Sequence, residues 1–234
     1  QLRSVVEAYN EVQGKNRLIL FVGFNRRFSP FTRWLKEQFQ GVVEPLAVHC
    51  TVNAGPVPPD HWVHDPEQGG GRIIGEVCHF VDLIQYLTGS VPVRVYAETL
   101  DARAYKPSDN VAITLKLANG AIGSILYVAG GDKSFSRERV EVFGGGAVGV
   151  IENFRKAVFV HKGRCKSKRS IFFVDRGHQG ELIALLSALQ KGGPPPVAFE
   201  EYLYTTLATF AIEKALVERE PVQVEFSDKG RAEK

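Results

Sequence analysis

The sequence GGGRIIGEVCHFVD at residues 69–82 puts three consecutive glycines directly before an amphipathic helix. At about 100° per residue, one side of this helix is apolar and the other carries Arg72, Glu76 and His79. Imidazole exchanges protons near neutral pH, and a carboxylate one turn away can orient it or raise its basicity. His79 and Glu76 are therefore the candidate catalytic residues, although a solvated surface histidine beside a glutamate has the same pattern. The apolar stripe is predicted to contain Ile73, Ile74, Val77, Phe80, Val81, Ile84 and Leu87.

Length and composition indicate a globular protein with a substantial core. The chain has 234 residues, of which 44% are hydrophobic, and a formal net charge of +3. This small charge does not favour nucleic acid binding, no apolar run is long enough to span a bilayer, and no secretory signal is visible. The three cysteines are widely spaced and odd in number, as expected of free thiols in a reducing compartment. We expect a cytoplasmic protein with neither nucleic acid nor membrane as a partner.

The N-terminal residues have the pattern of a helix followed directly by a strand. Residues 1–13 predict a helix, and residues 18–24 predict a fully buried strand. A helix followed at once by a buried strand is half of a βαβ unit. We therefore assign residues 1–26 to one domain and residues 27–226 to a second domain, and we expect residues 227–234 to be a tail.

The second domain is predicted to be α+β, with helices on one face of an open, mostly antiparallel sheet. Ser29-Pro30 predicts the start of a helix that runs to about residue 40. A long loop at residues 55–71 precedes the His79 helix, and two more helices are predicted at residues 180–190 and 200–219. Asn119-Gly120 predicts a two-residue hairpin turn between strands. The strands are predicted at 42–54, 93–100, 111–117, 121–128, 137–143, 149–152, 157–161, 170–174 and 222–226.

Three further patterns resemble functional sites but have simpler explanations. Residues 144–149 have the G-x-G-x-x-G spacing, but residues of β character follow them, so we predict a hairpin turn and no cofactor site there. The basic side chains that alternate along residues 162–169 are typical of a solvated strand face that discourages edge pairing. A metal site is not expected. Four residues could be considered as ligands, but their spacing matches no standard zinc site: His61, His64, Cys78 and His79.

The order and spacing of three motifs resemble a known enzyme family. The motifs are GFNRRFSP at residues 23–30, Trp62 with Asp65-Pro66, and GGGRIIGEVCHFVDL at residues 69–83. Together they resemble the glucose-fructose oxidoreductase/inositol 2-dehydrogenase/MocA family over about residues 1–226. The resemblance is closest to the branch whose members are fused to alcohol-dehydrogenase-like modules. It implies that residues 1–26 are the remnant of a truncated dinucleotide-binding (Rossmann) domain and that an open-sheet domain follows. It also places His79 at the family's proton donor or acceptor.

The resemblance implies an NAD(P)-dependent oxidoreductase that acts on a secondary alcohol of a sugar, a cyclic polyol or a nucleotide sugar. Arg27, Trp62 and Arg72 are expected to bind this substrate. The family usually has aspartate four residues before the histidine; this chain has Gly75 there, so the role of that aspartate cannot be transferred to Glu76.

Cofactor and partners also follow from the resemblance. The family's glycine-rich loop and Glu-Lys-Pro motif are absent from this chain, so the cofactor-binding residues are unknown. We expect NAD or NADP in the complete protein, but neither cofactor binding nor activity in this chain alone. The open sheet face is expected to pack against a second copy, and apolar strand residues such as Val111 and Ile113 must be buried. The alternative is a non-catalytic saccharide-binding or assembly module.

Overall fold

The structure is a computed structural model that describes residues 1–13, 19–58, 60–65, 67–100, 109–171 and 173–226. Its helices are α1 (Leu2–Gln13), α2 (Pro30–Gln38), α3 (Cys78–Thr88), α4 (His178–Lys191) and α5 (Phe199–Glu218). Its strands are β1 (Ala47–Asn53), β2 (Pro92–Thr99), β3 (Asn110–Leu117), β4 (Ile122–Val128), β5 (Glu138–Gly144), β6 (Ala147–Glu152), β7 (Lys156–His161), β8 (Arg164–Arg169) and β9 (Val222–Gln223).

The strands form one sheet in the order β8-β7-β6-β5-β1-β4-β3-β2-β9. In the part of the chain that the structure describes, β1 and β4 are parallel and every other neighbouring pair is antiparallel. The predicted open, mostly antiparallel sheet is therefore confirmed. The strand predicted at residues 170–174 is wrong, because the basic residues 164–169 pair with β7 instead. Phe172 lies outside the described residues.

Helices α2, α3 and α5 cover one face of the sheet and leave the other face open. Alternate side chains of the central strands point into the helix-covered core, among them Cys50 on β1, Tyr127 on β4 and Val140 on β5. Val111 and Ile113 are buried on this face as well. The opposite face exposes large apolar side chains, namely Ile122, Leu126, Phe143, Val148 and Val160. The sheet therefore has a packed side and an uncovered side.

The helix predicted at residues 1–13 is confirmed as α1, but the buried strand after it is not. Residues 19–24 are irregular and pair with none of the described strands, and residue 18 lies outside the described residues. The prediction was wrong because a strand buried on both faces requires hydrogen-bonding neighbours at its edges. The assignment of residues 1–26 to a dinucleotide-binding domain stays a prediction.

Local sequence signals place α2 and two hairpins correctly. Ser29 is the N-cap of α2, with its Oγ 3.3 Å from the Phe31 amide, and Pro30 is the first helical residue. Asn119-Gly120 joins β3 to β4, as predicted. Gly145 and Gly146 have φ of +57° and +69° and form the turn between β5 and β6. The predicted hairpin at residues 144–149 is therefore confirmed.

We expect Gly180→Ala to destabilise the protein, because the first turn of α4 packs directly on the backbone of residues 25–29. A Cβ atom on Gly180 would lie 2.6 Å from the Phe28 carbonyl oxygen. Overpacking costs about 1–3 kcal/mol, and alanine regains at most about 1 kcal/mol of helix propensity. Urea unfolding should therefore show a net loss of stability. Gly193→Ala is the matched control, since nothing lies within 4 Å of its Cβ position, and equal midpoints for the two variants would contradict the prediction.

Candidate active site

The helix that carries His79 begins with a π-helical turn at Ile73–Val77, in which the Cys78 amide donates to the Ile73 carbonyl. A π turn spans one residue more than an α turn, so residues before it are rotated relative to a regular helical wheel. This rotation explains why Arg72, predicted on the polar flank, is only 1% exposed. Such turns are frequent at functional sites.

His79 is partly buried at the end of this turn, with its ring edge-to-face against Phe24 at a centroid distance of 5.6 Å. Its Nδ1 atom is buried and has no hydrogen-bond partner among the described residues. Burial, together with the positive charge of Arg26, lowers the pKa of His79 to about 4, although Glu138 and Glu76 oppose the shift. The ring is therefore neutral at pH 7, which is the form that can accept a proton.

Glu76 lies near His79 but is bound to other groups. Its Oε2 accepts a hydrogen bond of 2.6 Å from the Tyr127 hydroxyl, and its Oε1 is 3.2 Å from Nη2 of Arg72. No hydrogen bond joins Glu76 to His79 in the described part of the chain. Arg72 also donates to the Gly55 carbonyl at 2.8 Å. Glu76 therefore acts on His79 through its charge, and the buried position of Arg72 does not support the expected contact with substrate.

Glu138, at the start of β5, is a site residue that the sequence analysis missed. Its carboxylate is 1% exposed and accepts hydrogen bonds from Arg26 at 2.9 Å and Arg176 at 2.7 Å, while Arg137 approaches to 3.8 Å. Burial alone would raise the pKa of Glu138, but Arg26 and Arg176 outweigh burial and lower it. One signal was available: Glu138 occupies a position of the strand alternation that otherwise holds buried apolar residues.

Arg27 lies away from this cluster, in a buried ion pair. Its Nε donates to Asp82 at 2.9 Å and its Nη1 donates to Glu201 at 2.8 Å, while the guanidinium lies over the Tyr86 ring. Asp82 is fully buried, and both of its carboxylate oxygens accept hydrogen bonds from Arg27. The substrate-binding role expected for Arg27 is not supported by this geometry, because its donors already connect α3 to α5.

Trp62 is 59% exposed on a short 3₁₀ turn, Trp62–His64, and its ring lies 5.6 Å from that of His61. The turn packs closely on the glycine run, since a Cβ on Gly69 would lie 2.5 Å from the Trp62 carbonyl oxygen. Gly69 therefore permits the loop to approach the His79 helix. Among the described residues, no three His, Cys, Asp or Glu side chains are grouped so that they could hold a metal ion.

A sequence profile of the GFO/IDH/MocA C-terminal domain matches residues 33–157. The chain belongs to the GFO/IDH/MocA family. Myo-inositol 2-dehydrogenase of Thermotoga maritima is 27% identical, with 94% of this chain and 69% of that protein covered. The uncharacterized oxidoreductase YrbE of Bacillus subtilis is 28% identical, with 92% and 66% covered. This chain thus spans about two thirds of the length of these relatives.

Solved structures share the fold of this GFO/IDH/MocA chain. Levoglucosan dehydrogenase in complex with NADH and levoglucosan has a TM-score of 0.76 at 20% identity, with 92% of this chain and 69% of that chain covered. Aldose-aldose oxidoreductase from Caulobacter crescentus in complex with glycerol also has a TM-score of 0.76, at 18% identity, with 95% and 68% covered. At these identities the likeness concerns the fold.

The described residues do not fit a nicotinamide dinucleotide on their own. Such a cofactor is usually held by a glycine-rich turn between a strand and a helix N-terminus. The stretch with that spacing, residues 144–149, is a β-hairpin.

No described helix combines the length and the apolar character that crossing a bilayer requires.

Proposed function

We propose that the protein is an oxidoreductase that acts on a secondary alcohol of a sugar, a cyclic polyol or a nucleotide sugar, with His79 as its acid/base residue. The observation that carries the proposal is the neutral His79 ring with a buried Nδ1 that lacks a partner. A buried polar atom without a partner is unfavourable, and a substrate hydroxyl would satisfy it once the side chains that cover Nδ1 move aside on binding. The names of the relatives, a dehydrogenase and an oxidoreductase, support this reaction class.

In the proposed reaction, His79 removes the hydroxyl proton when the alcohol becomes a ketone and returns it in the reverse direction. The charge of Glu76 favours the imidazolium that forms. The exposed Trp62 offers a flat apolar surface against which a sugar ring can stack. We assign the hydride acceptor to NAD or NADP in the complete protein, because a structural relative is described with NADH.

Isotope transfer tests the proposed reaction class directly. The full-length protein would be incubated with NAD⁺ or NADP⁺ and a panel of sugars, inositols and nucleotide sugars that carry deuterium on the reacting carbon. The expected result is reduced nicotinamide that contains the deuterium. Saccharide binding without any deuterium transfer across the panel would instead support a non-catalytic saccharide-binding module.

We also propose that the open sheet face binds a second copy of the chain. The face exposes Leu126 and Phe143 and contains a concave region of about 690 Å³ that is lined by His49, Tyr96 and Ser124, among others. Large exposed apolar patches mark interaction sites.

Charge on this face is expected to weaken the association. Leu126→Lys combined with Phe143→Lys should raise the dimer dissociation constant by roughly tenfold or more, because charge replaces buried apolar area. Sedimentation velocity at several concentrations measures this effect. Val217→Lys is the control, since Val217 is highly exposed on α5 and not on this face. A monomeric unmodified protein at all concentrations would refute the proposal.

A further inference from the structure

Two carboxylates whose charges act on His79 belong to a cluster of ion pairs that contains more cationic than anionic side chains. In the described part of the chain, four guanidinium groups contact two carboxylates here, which leaves an excess of two positive charges. The carboxylates belong to Glu76 and Glu138, and both of them act electrostatically on His79. The guanidinium groups are those of Arg26, Arg72, Arg137 and Arg176.

Three of these arginines already donate short hydrogen bonds. Arg26 binds both oxygens of Glu138, at 2.9 and 3.2 Å. Arg72 donates to the Gly55 carbonyl, and Arg176 donates to Glu138 at 2.7 Å. All three are mostly or fully buried. Their positions are therefore fixed by the protein itself.

Arg137 differs from the other three. Its side chain is 51% exposed, with Nη2 3.9 Å from Glu76 and Nε 3.8 Å from Glu138. At these distances the contacts are too long for hydrogen bonds, and its guanidinium forms none within the described residues. Both carboxylates already accept shorter bonds from Tyr127, Arg26 or Arg176. Arg137 is thus a loosely held cation between the two carboxylates whose charges act on His79.

We infer, on the basis of the proposed function, that the substrate carries an anionic group, a carboxylate or a phosphate, and that Arg137 binds it. A guanidinium presents parallel N–H donors that match either anion. An anionic substrate would offset the positive excess of this ion-pair cluster, whereas a neutral polyol would leave it uncompensated. Arg137 is therefore assigned as the residue that distinguishes an acidic sugar from its neutral counterpart.

Isothermal titration calorimetry on the full-length protein tests this assignment without depending on turnover. The probes are matched pairs: glucuronate with glucose, galacturonate with galactose, and glucose 6-phosphate with glucose, together with UDP-glucose. We expect at least one acidic probe to bind roughly 10- to 100-fold more tightly than its neutral partner, which is the range of a charge-assisted bidentate contact. The carboxylate and phosphate probes distinguish the two kinds of anion.

Arg137→Gln should abolish this preference. Arg139→Gln is the matched control, because Arg139 is similarly exposed two residues along the chain and is paired with Glu141 and Glu152. Equal affinity for acidic and neutral probes, no binding of any acidic probe, or an unchanged preference in Arg137→Gln would each overturn the inference. Acidic probes that bind through Arg137 but are not oxidised with either dinucleotide would instead count against the proposed function.

Discussion

Replacing His79 with asparagine in the full-length protein is expected to lower kcat/KM by roughly 10²–10⁴-fold, the usual contribution of a positioned acid/base group. Asparagine keeps a polar atom close to the position of Nδ1 but cannot carry a proton between substrate and solvent. The loss should therefore appear in kcat, while the affinity for the alcohol changes little. Steady-state kinetics combined with calorimetric binding separates the two effects.

The pH profile provides a second measurement on the same residue. Alcohol oxidation requires the neutral ring, and burial lowers the pKa of His79 to about 4, so activity should fall near pH 4 and not near the ordinary value of 6.5. His161→Asn is the control, because His161 lies on β7, a strand near the sheet edge, away from the His79 helix. A loss smaller than a few-fold in His79→Asn, or an equal loss in the control, would exclude His79 as the acid/base residue.

The same lowered pKa predicts how stability changes with pH. Between pH 6.5 and about 4 the unfolded chain binds a proton at His79 and the folded protein does not. Acidification through this window therefore favours unfolding. His79→Asn should flatten that part of the stability profile.

Asp82→Ala is expected to lower the free energy of unfolding by about 3–5 kcal/mol, because it leaves Arg27 buried without its main partner. The Asp82 carboxylate is fully buried and bidentate to Arg27. Urea denaturation followed by circular dichroism measures the change. Lys214→Ala is a contrasting control, since the exposed pair between Lys214 and Glu218 should contribute less than about 1 kcal/mol.

A double variant separates the contribution of the ion pair to stability from the cost of the cavity that a single substitution leaves. Arg27→Met combined with Asp82→Leu removes both charges and fills the space with apolar atoms. Buried ion pairs replaced in this way are often neutral or more stable, so the double variant should recover most of the loss. If it is less stable than Asp82→Ala, the stabilisation comes from the hydrogen bond that Arg27 makes with Glu201 and not from charge balance.

The sequence correctly predicts those elements whose structure is determined by residues close together in the chain. Ser29-Pro30 begins α2 through a cap that lies within the same few residues, and Asn119-Gly120 forms a turn whose requirements are local. The apolar stripe of α3 is also largely correct, because periodicity reports which side faces the core. Residues 19–24 differ, since their predicted strand depended on partners elsewhere in a sheet.

The arrangement of the site depends on contacts that no spacing reveals. Glu138 and Arg176 are 38 residues apart in sequence, and neither belongs to a motif. Arg27 was expected to bind substrate, and only its pairing with Asp82 explains why both side chains are buried. The π turn, which contains Gly75, changes the direction of Arg72, and the regular helical periodicity used for the prediction does not include such a turn. His79 itself was identified from its motif, whereas its missing partner at Nδ1 required the fold.

The two ends of the sheet limit how copies of this protein can associate. One border is β8, whose side chains are mostly basic, and the other is β9, which is two residues long. At the first border, the positive charges of β8 repel the β8 strand of a second copy. At the second border, β9 offers few backbone groups for pairing. Growth of a continuous ribbon is therefore disfavoured at both ends. A twofold contact through the uncovered sheet face, in contrast, uses the same surface of both molecules. It therefore closes with two copies and leaves no such surface free for a third.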